Sequence, residues 1–128
     1  NNISIKFNKT DNFKIIGDRD KLIEIFTNLI DNSVKYSDKN KVITITAKKD
    51  GEFNIVSVAD QGIGIPKESI HRITERFFTV DPSKSRSVGG TGLGLAIVKH
   101  LVSQHRAEMD INSVVNEGTK IDIKFNSL

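Results

Sequence analysis

The chain has 128 residues, of which 37% are hydrophobic and 27% charged, and a formal net charge of +3, which fits one globular domain with a hydrophobic core. It contains no cysteine, which excludes disulfide bonds, and it has neither the roughly 20-residue apolar run of a membrane-spanning helix nor a long basic block typical of nucleic-acid binding. Because it begins Asn1-Asn2, with neither an initiator methionine nor a signal peptide, we expect a domain of a longer protein.

The first half of the chain alternates between strand and helix patterns. An apolar–polar alternation indicates a half-buried strand, and a helical spacing of apolar residues follows it, with Asp18 suited to the N-cap. Two more strand patterns meet at Asp50-Gly51, a strong hairpin signal. The predicted elements are a strand at Ile3–Phe7, a helix from Asp18 to about Tyr36, and strands at Lys41–Lys48 and Phe53–Ala59.

The second half begins with a long irregular segment, residues 60–94, which holds most of the glycines and both prolines. Such a segment in a compact domain is usually a functional loop or a lid, so we expect a mobile lid over about residues 67–91, with room for a short helix after Pro66. The later predicted elements are a helix from Leu95 to about His105 and strands at Met109–Ser113 and Thr119–Phe125. Together these elements predict a single α/β domain over residues 1–128, with a mostly antiparallel sheet and helices on one face.

One face of the first predicted helix is polar and lies opposite its apolar stripe. Its residues, at i, i+4, i+7 and i+8, are Asn28, Asn32, Lys35 and Tyr36. An asparagine oxygen can ligate Mg²⁺, which takes few protein ligands when substrate phosphates supply the rest. Lys35 could neutralise phosphate charge and Tyr36 could stack on a base. The alternative is a solvated polar face, which the helix alone favours.

The glycine-rich loop at residues 60–66, DQGIGIP, follows directly on an apolar strand. Glycine lets a ligand approach the backbone closely, and a carboxylate at the strand end is placed to accept the exocyclic amine of adenine. Guanine has an acceptor oxygen at that atom, so Asp60 predicts a preference for ATP over GTP. The alternative is an ordinary turn. The candidate nucleotide contacts here are Asp60, Gly62, Ile63, Gly64 and Ile65.

A second glycine-rich loop, GGTGLGLA at residues 89–96, opens the second predicted helix. Free N–H groups and partial positive charge at a helix N-terminus suit phosphate, and the absence of side chains lets those groups reach its oxygens. The loop lacks the Gly-Lys-Ser/Thr of a P-loop and the third glycine of a dinucleotide fingerprint. A hinge is the alternative. The candidate contacts are Gly90, Thr91, Gly92, Leu93, Gly94 and Leu95.

Basic and aromatic residues occupy the predicted lid. Arg76, Lys84 and Arg86 could each reach a γ-phosphate when the lid closes, or could be solvated loop charges. Phe77 and Phe78 could belong to the core or dock a partner domain.

Taken together, four of these segments resemble the four sequence boxes of the catalytic, ATP-binding domain of sensor histidine kinases. These kinases belong to the ATPase superfamily shared with gyrase, Hsp90 and MutL. The matching segments are residues 28–36 for the asparagine box, 60–66 and 89–100 for the two glycine boxes, and 75–78 for the phenylalanine box. The resemblance implies a Bergerat-type two-layer α/β sandwich, a mixed sheet covered on one face by about three helices, with ATP under a mobile lid. Thr74 and Ala107 depart from the family pattern, but neither is a ligand position.

The resemblance also implies residue roles: Mg²⁺ on Asn32, phosphate on Lys35 and the adenine amine on Asp60. The superfamily's hydrolases place a water-activating Glu where this chain has Asn28, and an amide cannot act as a general base. We therefore expect slow hydrolysis and a protein-histidine kinase. Its candidate catalytic residues are Asn28, Asn32, Lys35, Arg76 and Arg86.

The acceptor expected for such a kinase is absent from the chain, because none of its three histidines has the sequence context of the family's phosphorylation helix. The resemblance implies ATP and Mg²⁺ as cofactors and, as partners, the protein's own dimerisation and phosphoacceptor domain and, through it, a response regulator. Direct contact with nucleic acid or membrane is not expected. The domain would be a cytoplasmic part of a larger, often membrane-anchored sensor that does not phosphorylate itself in isolation. Alternatives are an anti-sigma-type protein-serine kinase and a non-catalytic ATP-binding module.

Overall fold

A computed structural model describes residues 3–9, 14–37, 41–76, 78 and 94–126 of the chain. In these residues five strands, two α-helices and one turn of 3-10 helix follow one another along the sequence. They are β1 Ser4–Lys9, α1 Arg19–Tyr36, β2 Val42–Asp50, β3 Phe53–Ala59, the 3-10 turn Lys67–Ser69, α2 Gly94–Gln104, β4 Glu108–Val114 and β5 Gly118–Asn126. Each predicted strand and long helix is present, and the helix expected after Pro66 is the 3-10 turn.

The five strands form one sheet in the order β1-β2-β3-β5-β4. β1 runs parallel to β2, whereas the other three pairings are antiparallel. The parallel pair needs a crossover, which α1 supplies. The predicted fold class, an α/β sandwich with a mixed, mostly antiparallel sheet, is confirmed. The resemblance implied about three helices. The part of the chain that the structure describes contains two α-helices and the 3-10 turn.

The core lies between the sheet and the two α-helices. Alternate positions of β2, β3 and β5 point at the helices. Each helix packs on them with an apolar stripe of residues at i, i+3, i+4 and i+7. Each fully buried Ile, Leu or Phe side chain contributes about 1.5–3 kcal/mol to folding. The buried core residues are Ile25, Leu29, Ile43, Val58, Leu95, Val98, Leu101, Val102, Ile121, Ile123 and Phe125.

Local hydrogen bonds cap the N-terminus of α1 and the C-terminus of α2. Asp18 is the N-cap of α1, as predicted, and its carboxylate accepts from the Lys21 N–H at 3.0 Å. At the end of α2 the Ala107 N–H donates to the Val102 carbonyl at 3.1 Å and the Arg106 N–H to that of Ser103 at 3.0 Å. These two bonds form a Schellman motif, whose left-handed position is occupied by Arg106 with φ of 54°.

Candidate functional site

The first glycine loop is attached to the end of α1 through backbone groups. The Ile63 N–H donates to the Tyr36 carbonyl at 3.2 Å. An added Cβ on Gly62 would collide with the same carbonyl oxygen, so only glycine allows this approach. Gly62 is thus required by packing against α1, which brings the loop to the last turn of the asparagine helix.

Asp60 is held in place by backbone donors from two different elements. Its Oδ1 accepts from the Gly62 N–H at 2.9 Å and from the Thr119 N–H at 3.1 Å, and its own N–H donates to the Thr119 carbonyl at 2.8 Å. Its other oxygen, Oδ2, makes no hydrogen bond with any part of the chain that the structure describes. The half-buried carboxylate therefore has a fixed orientation and one oxygen available to a donor such as an amine.

The β4–β5 hairpin supports the same loop from the other side. The Asn116 N–H donates to the Ile63 carbonyl at 2.8 Å, and the Ile65 N–H donates to the Ser113 hydroxyl at 2.7 Å. Gly64, with φ of 76°, lies so close to the Val114 carbonyl that an added Cβ would collide with it. The sequence predicted this hairpin as two strands and a turn without a role in the site, so Thr119 and Ser113 were not among the predicted site residues.

Asn28 faces the start of α2 across the site. Its Nδ2 donates to the Glu24 carbonyl one turn earlier, at 2.8 Å. A Cβ added to Gly94, the first residue of α2, would lie 3.7 Å from its Oδ1. The amide nitrogen is therefore engaged within the helix, and the oxygen is directed to the N-terminus where the second glycine loop enters α2.

Asn32 and Lys35 lie on the same face of α1 and differ in their partners. The half-buried Asn32 side chain makes no hydrogen bond within the described residues, which leaves its oxygen available to a ligand. Lys35 Nζ is 3.1 Å from Asp31 Oδ2, with the side chains 31% and 58% exposed. An exposed pair of this kind is worth about 0–1 kcal/mol, so Lys35 can leave Asp31 for a phosphate at little cost.

The donor set around Asn32 fits Mg²⁺ only when a ligand supplies further oxygens. Among the described residues no group of three or more His, Cys, Asp or Glu side chains is arranged to hold a metal. A single amide oxygen suits a hard cation that keeps waters and takes phosphate oxygens. Metal binding here would therefore depend on the nucleotide.

The remaining candidate residues are placed only in part. Leu95 buries its side chain in the core, so any contact with a nucleotide would come from its backbone. Arg76 is exposed in the turns that follow the 3-10 helix. Gly90, Thr91, Gly92, Leu93, Arg86 and Lys84 lie outside the described residues. The lid at about residues 67–91 stays a prediction, because residue 77 and residues 79–91 lie outside the described residues.

An asparagine-bearing helix packs on one face of the mixed sheet, with a glycine loop at its end and the start of α2 opposite, and this α/β-sandwich arrangement can hold a nucleotide. Residues 17–127 match the family model described as "Histidine kinase-, DNA gyrase B-, and HSP90-like ATPase". The chain belongs to this family, which confirms the resemblance drawn from the four boxes.

Individual relatives agree with this assignment. The sensor-like histidine kinase SenX3 of Mycolicibacterium smegmatis is 38% identical over 123 residues, which are 96% of this chain and 32% of that protein. The solved structure of the mycobacterial sensor histidine kinase MprB superposes with a TM-score of 0.84 at 30% identity, covering 98% of this chain and 82% of the other. Full-length ShkA in complex with AMPPNP gives a TM-score of 0.82 at 28% identity over 98% of this chain and 26% of the other. The chain thus spans about a third of the length of the curated relative SenX3.

Proposed function

We propose that this domain binds Mg-ATP between α1, residues 60–66 and the start of α2, and transfers the γ-phosphoryl group to a histidine on the dimerisation and phosphoacceptor domain of its own protein. The observation that carries the proposal is the Asp60 carboxylate, anchored through Oδ1 by two backbone donors with Oδ2 open to the adenine amine. ShkA, a structural neighbour, binds the ATP analogue AMPPNP, and the relatives are named sensor histidine kinases.

The residues of α1 would hold the phosphate end of the nucleotide. Asn32 would give Mg²⁺ its one protein ligand, and the ion would neutralise the charge of the phosphates. Lys35 would exchange Asp31 for a phosphate oxygen, and Tyr36 would contact the base. Arg76 and Arg86 are our candidates for the γ-phosphate, and the loop at residues 90–95 for the other phosphate oxygens.

Asn28 explains why the γ-phosphoryl would reach a histidine instead of water. Its nitrogen is bound to the Glu24 carbonyl, and an amide oxygen has no useful basicity at neutral pH. The position one helical turn before Asn32 therefore holds no general base that could activate water. The reaction would depend on aligning ATP with a stronger nucleophile brought by another domain.

The same proposal places the domain in a larger signalling protein. The partners would be the phosphoacceptor domain and, through it, a response regulator, without direct contact to nucleic acid or membrane. None of the helices in the described part of the chain combines the length and apolar character needed to cross a membrane. We propose that the domain is a cytoplasmic part of a larger sensor protein of a kind that is often membrane-anchored.

Substitution of the proposed metal ligand tests the nucleotide site. Asn32→Ala should weaken Mg-ATP binding about 30- to 100-fold, because a ligand oxygen worth about 2–3 kcal/mol is lost. Binding of ATP in EDTA should change much less. Isothermal titration calorimetry measures both, with Asn112→Ala on the exposed face of β4 as the matched control. Equal Mg-ATP affinity in Asn32→Ala and the unsubstituted chain would show that the metal assignment is wrong.

The test of phosphoryl transfer requires the proposed phosphoacceptor domain. The domain, radiolabelled Mg-ATP and the helical domain of the same protein are mixed, and the phosphate on the helical domain is tested for stability. Acid-labile, base-stable phosphate is expected for phosphohistidine. Acid-stable phosphate would instead support a serine kinase, and tight ATP binding without transfer a non-catalytic module.

A further inference from the structure

His105 connects the end of α2 to the start of α1. Its Nδ1 is 2.8 Å from the Leu101 carbonyl oxygen, and its Nε2 is 3.1 Å from the Asp18 backbone nitrogen. A carbonyl only accepts and a backbone N–H only donates, so the two bonds fix the state of the ring. The imidazole is neutral, with the proton on Nδ1 and the lone pair of Nε2 facing the N-cap residue of α1.

The ring also fills the space beside the residue that precedes the cap. A Cβ added to Gly17 would lie 2.6 Å from His105 Cδ2 and 2.8 Å from its Nε2. The glycine thus allows the imidazole to approach the backbone at the entry to α1. Neither contact involves a residue that we assign to the nucleotide.

α1 and α2 lie side by side and approach each other at two points along their length. His105 meets Asp18 at one end, and Gly94 faces Asn28 at the other. Asp18 and Asn28 are ten residues apart on α1, and Gly94 and His105 are eleven apart on α2. These separations correspond to about 15 Å and about 16 Å of helix. The helices are therefore antiparallel, and the His105 bond joins the end of α2 to the start of α1.

We propose that His105 is a positioning residue of the nucleotide site: its hydrogen bond to the Asp18 N–H sets the register of α2 on α1, and so the distance from Asn28 to the glycine-rich start of α2. The proposal rests on the proposed function, because the two helix surfaces it aligns are those that would hold the phosphates. A shift of the start of α1 relative to the end of α2 would change the distance between Asn28 and Gly94.

A matched pair of variants separates the inter-helix bond from the rest of the residue. In His105→Gln the side-chain oxygen reaches the position of Nε2 and can accept from the Asp18 N–H. In His105→Asn the shorter amide can still donate to the Leu101 carbonyl but cannot reach Asp18. Both lose the ring and each keeps one of the two hydrogen bonds, so an affinity that is kept in His105→Gln and lost in His105→Asn is assigned to the bond between the helices.

The bond itself is measured by NMR on the ¹⁵N-labelled chain without nucleotide. We expect the Nδ1–H tautomer of His105 and a scalar coupling between the Asp18 nitrogen and Nε2 across the hydrogen bond. An Nε2–H tautomer, or a charged ring at neutral pH, would overturn the proposal. This readout does not depend on ATP and stands even if the proposed function fails.

The consequence for the site is measured as the Kd for Mg-ATP at a temperature at which urea titration shows every variant folded. His105→Asn should bind about 5- to 10-fold more weakly than the unsubstituted chain, and His105→Gln within about twofold, since one hydrogen bond is worth about 1 kcal/mol. Gly17→Ala, whose Cβ displaces the ring, should match His105→Asn. Unchanged affinity in His105→Asn would make His105 merely structural. Absence of Mg-ATP binding by the unsubstituted chain would instead refute the proposed function.

Discussion

The proposed role of Asp60 in recognising adenine depends on a carboxylate that is already oriented in the absence of nucleotide. The Gly62 and Thr119 N–H groups both bind Oδ1, so the carboxylate cannot rotate without losing two hydrogen bonds. Oriented donors and acceptors reduce the ordering that binding requires. The remaining oxygen can then accept from an exocyclic amine, and it would face the guanine oxygen with unfavourable contact between two acceptors.

Asp60→Asn should reduce the preference for adenine over guanine. The asparagine oxygen can keep the two backbone bonds, which directs its NH₂ group at the base. We expect ATP to bind about 30- to 100-fold more weakly, because a donor then meets a donor, and the preference for ATP over GTP to fall. Titration calorimetry with both nucleotides measures this, with Asp110→Asn on the edge strand as control. An unchanged ratio of the two affinities would remove Asp60 from base recognition.

At the scale of elements, patterns among neighbouring residues were sufficient to predict every described strand and both helices. Helix and strand periodicities are properties of consecutive residues, as the stripe from Leu22 to Ser33 shows. The anchoring of Asp60 by Thr119 was not predictable in this way, because it depends on the pairing of β3 with β5. The bond from His105 to Asp18 was missed because it depends on the packing of α2 beside α1, which consecutive residues do not determine. The patterns predicted candidate ligand contacts, and the structure adds the tertiary contacts that hold Asp60 in place.

The Schellman motif at the end of α2 contains a residue that is not suited to its backbone. Arg106 has φ of 54°, a conformation that usually costs a non-glycine residue about 1 kcal/mol. Its exposed side chain makes no ion pair in the described part of the chain. The motif uses its backbone N–H, and the Asn126 side chain binds its carbonyl at 3.3 Å. Glycine would keep both bonds.

Arg106→Gly should therefore raise the free energy of unfolding by about 0.5–1 kcal/mol, measured by urea titration. Asn116→Gly is the matched control, since Asn116 has a similar φ of 66° and asparagine tolerates this region better. Its gain should be smaller. A loss of stability in Arg106→Gly would mean that the arginine side chain contributes more than its backbone strain removes.

At the scale of the whole molecule, the site is assembled from every layer of the fold. α1 contributes the polar face, the end of β3 contributes the first glycine loop, and the β4–β5 hairpin supports that loop. The nucleotide would thus bridge elements that are far apart in sequence. Binding should stabilise the native state as a whole, by about 2.7 kcal/mol at a nucleotide concentration 100 times the Kd.

The isolated chain should gain this stability from Mg-ATP and yet take up no phosphate. His105 is held by two hydrogen bonds, and His100 lies 3.2 Å from Gln104 on the exposed side of α2. His71 lies in the turns after the 3-10 helix, outside any α-helix. Unfolding curves with and without nucleotide, together with intact mass spectrometry, test both statements. Phosphate on any histidine of the isolated chain would contradict the assignment of the acceptor to another domain.

The position of β1 at the edge of the sheet has a consequence for how the domain opens. Among the residues that the structure describes β1 pairs only with β2, and its apolar side chains Ile5 and Phe7 remain 54% and 63% exposed. Detaching this strand uncovers little apolar surface, so its local unfolding free energy lies well below that of the whole domain. In native-state hydrogen exchange the amides of Ser4–Lys9 should exchange first. Those of β3, paired on both sides, should exchange only with global unfolding.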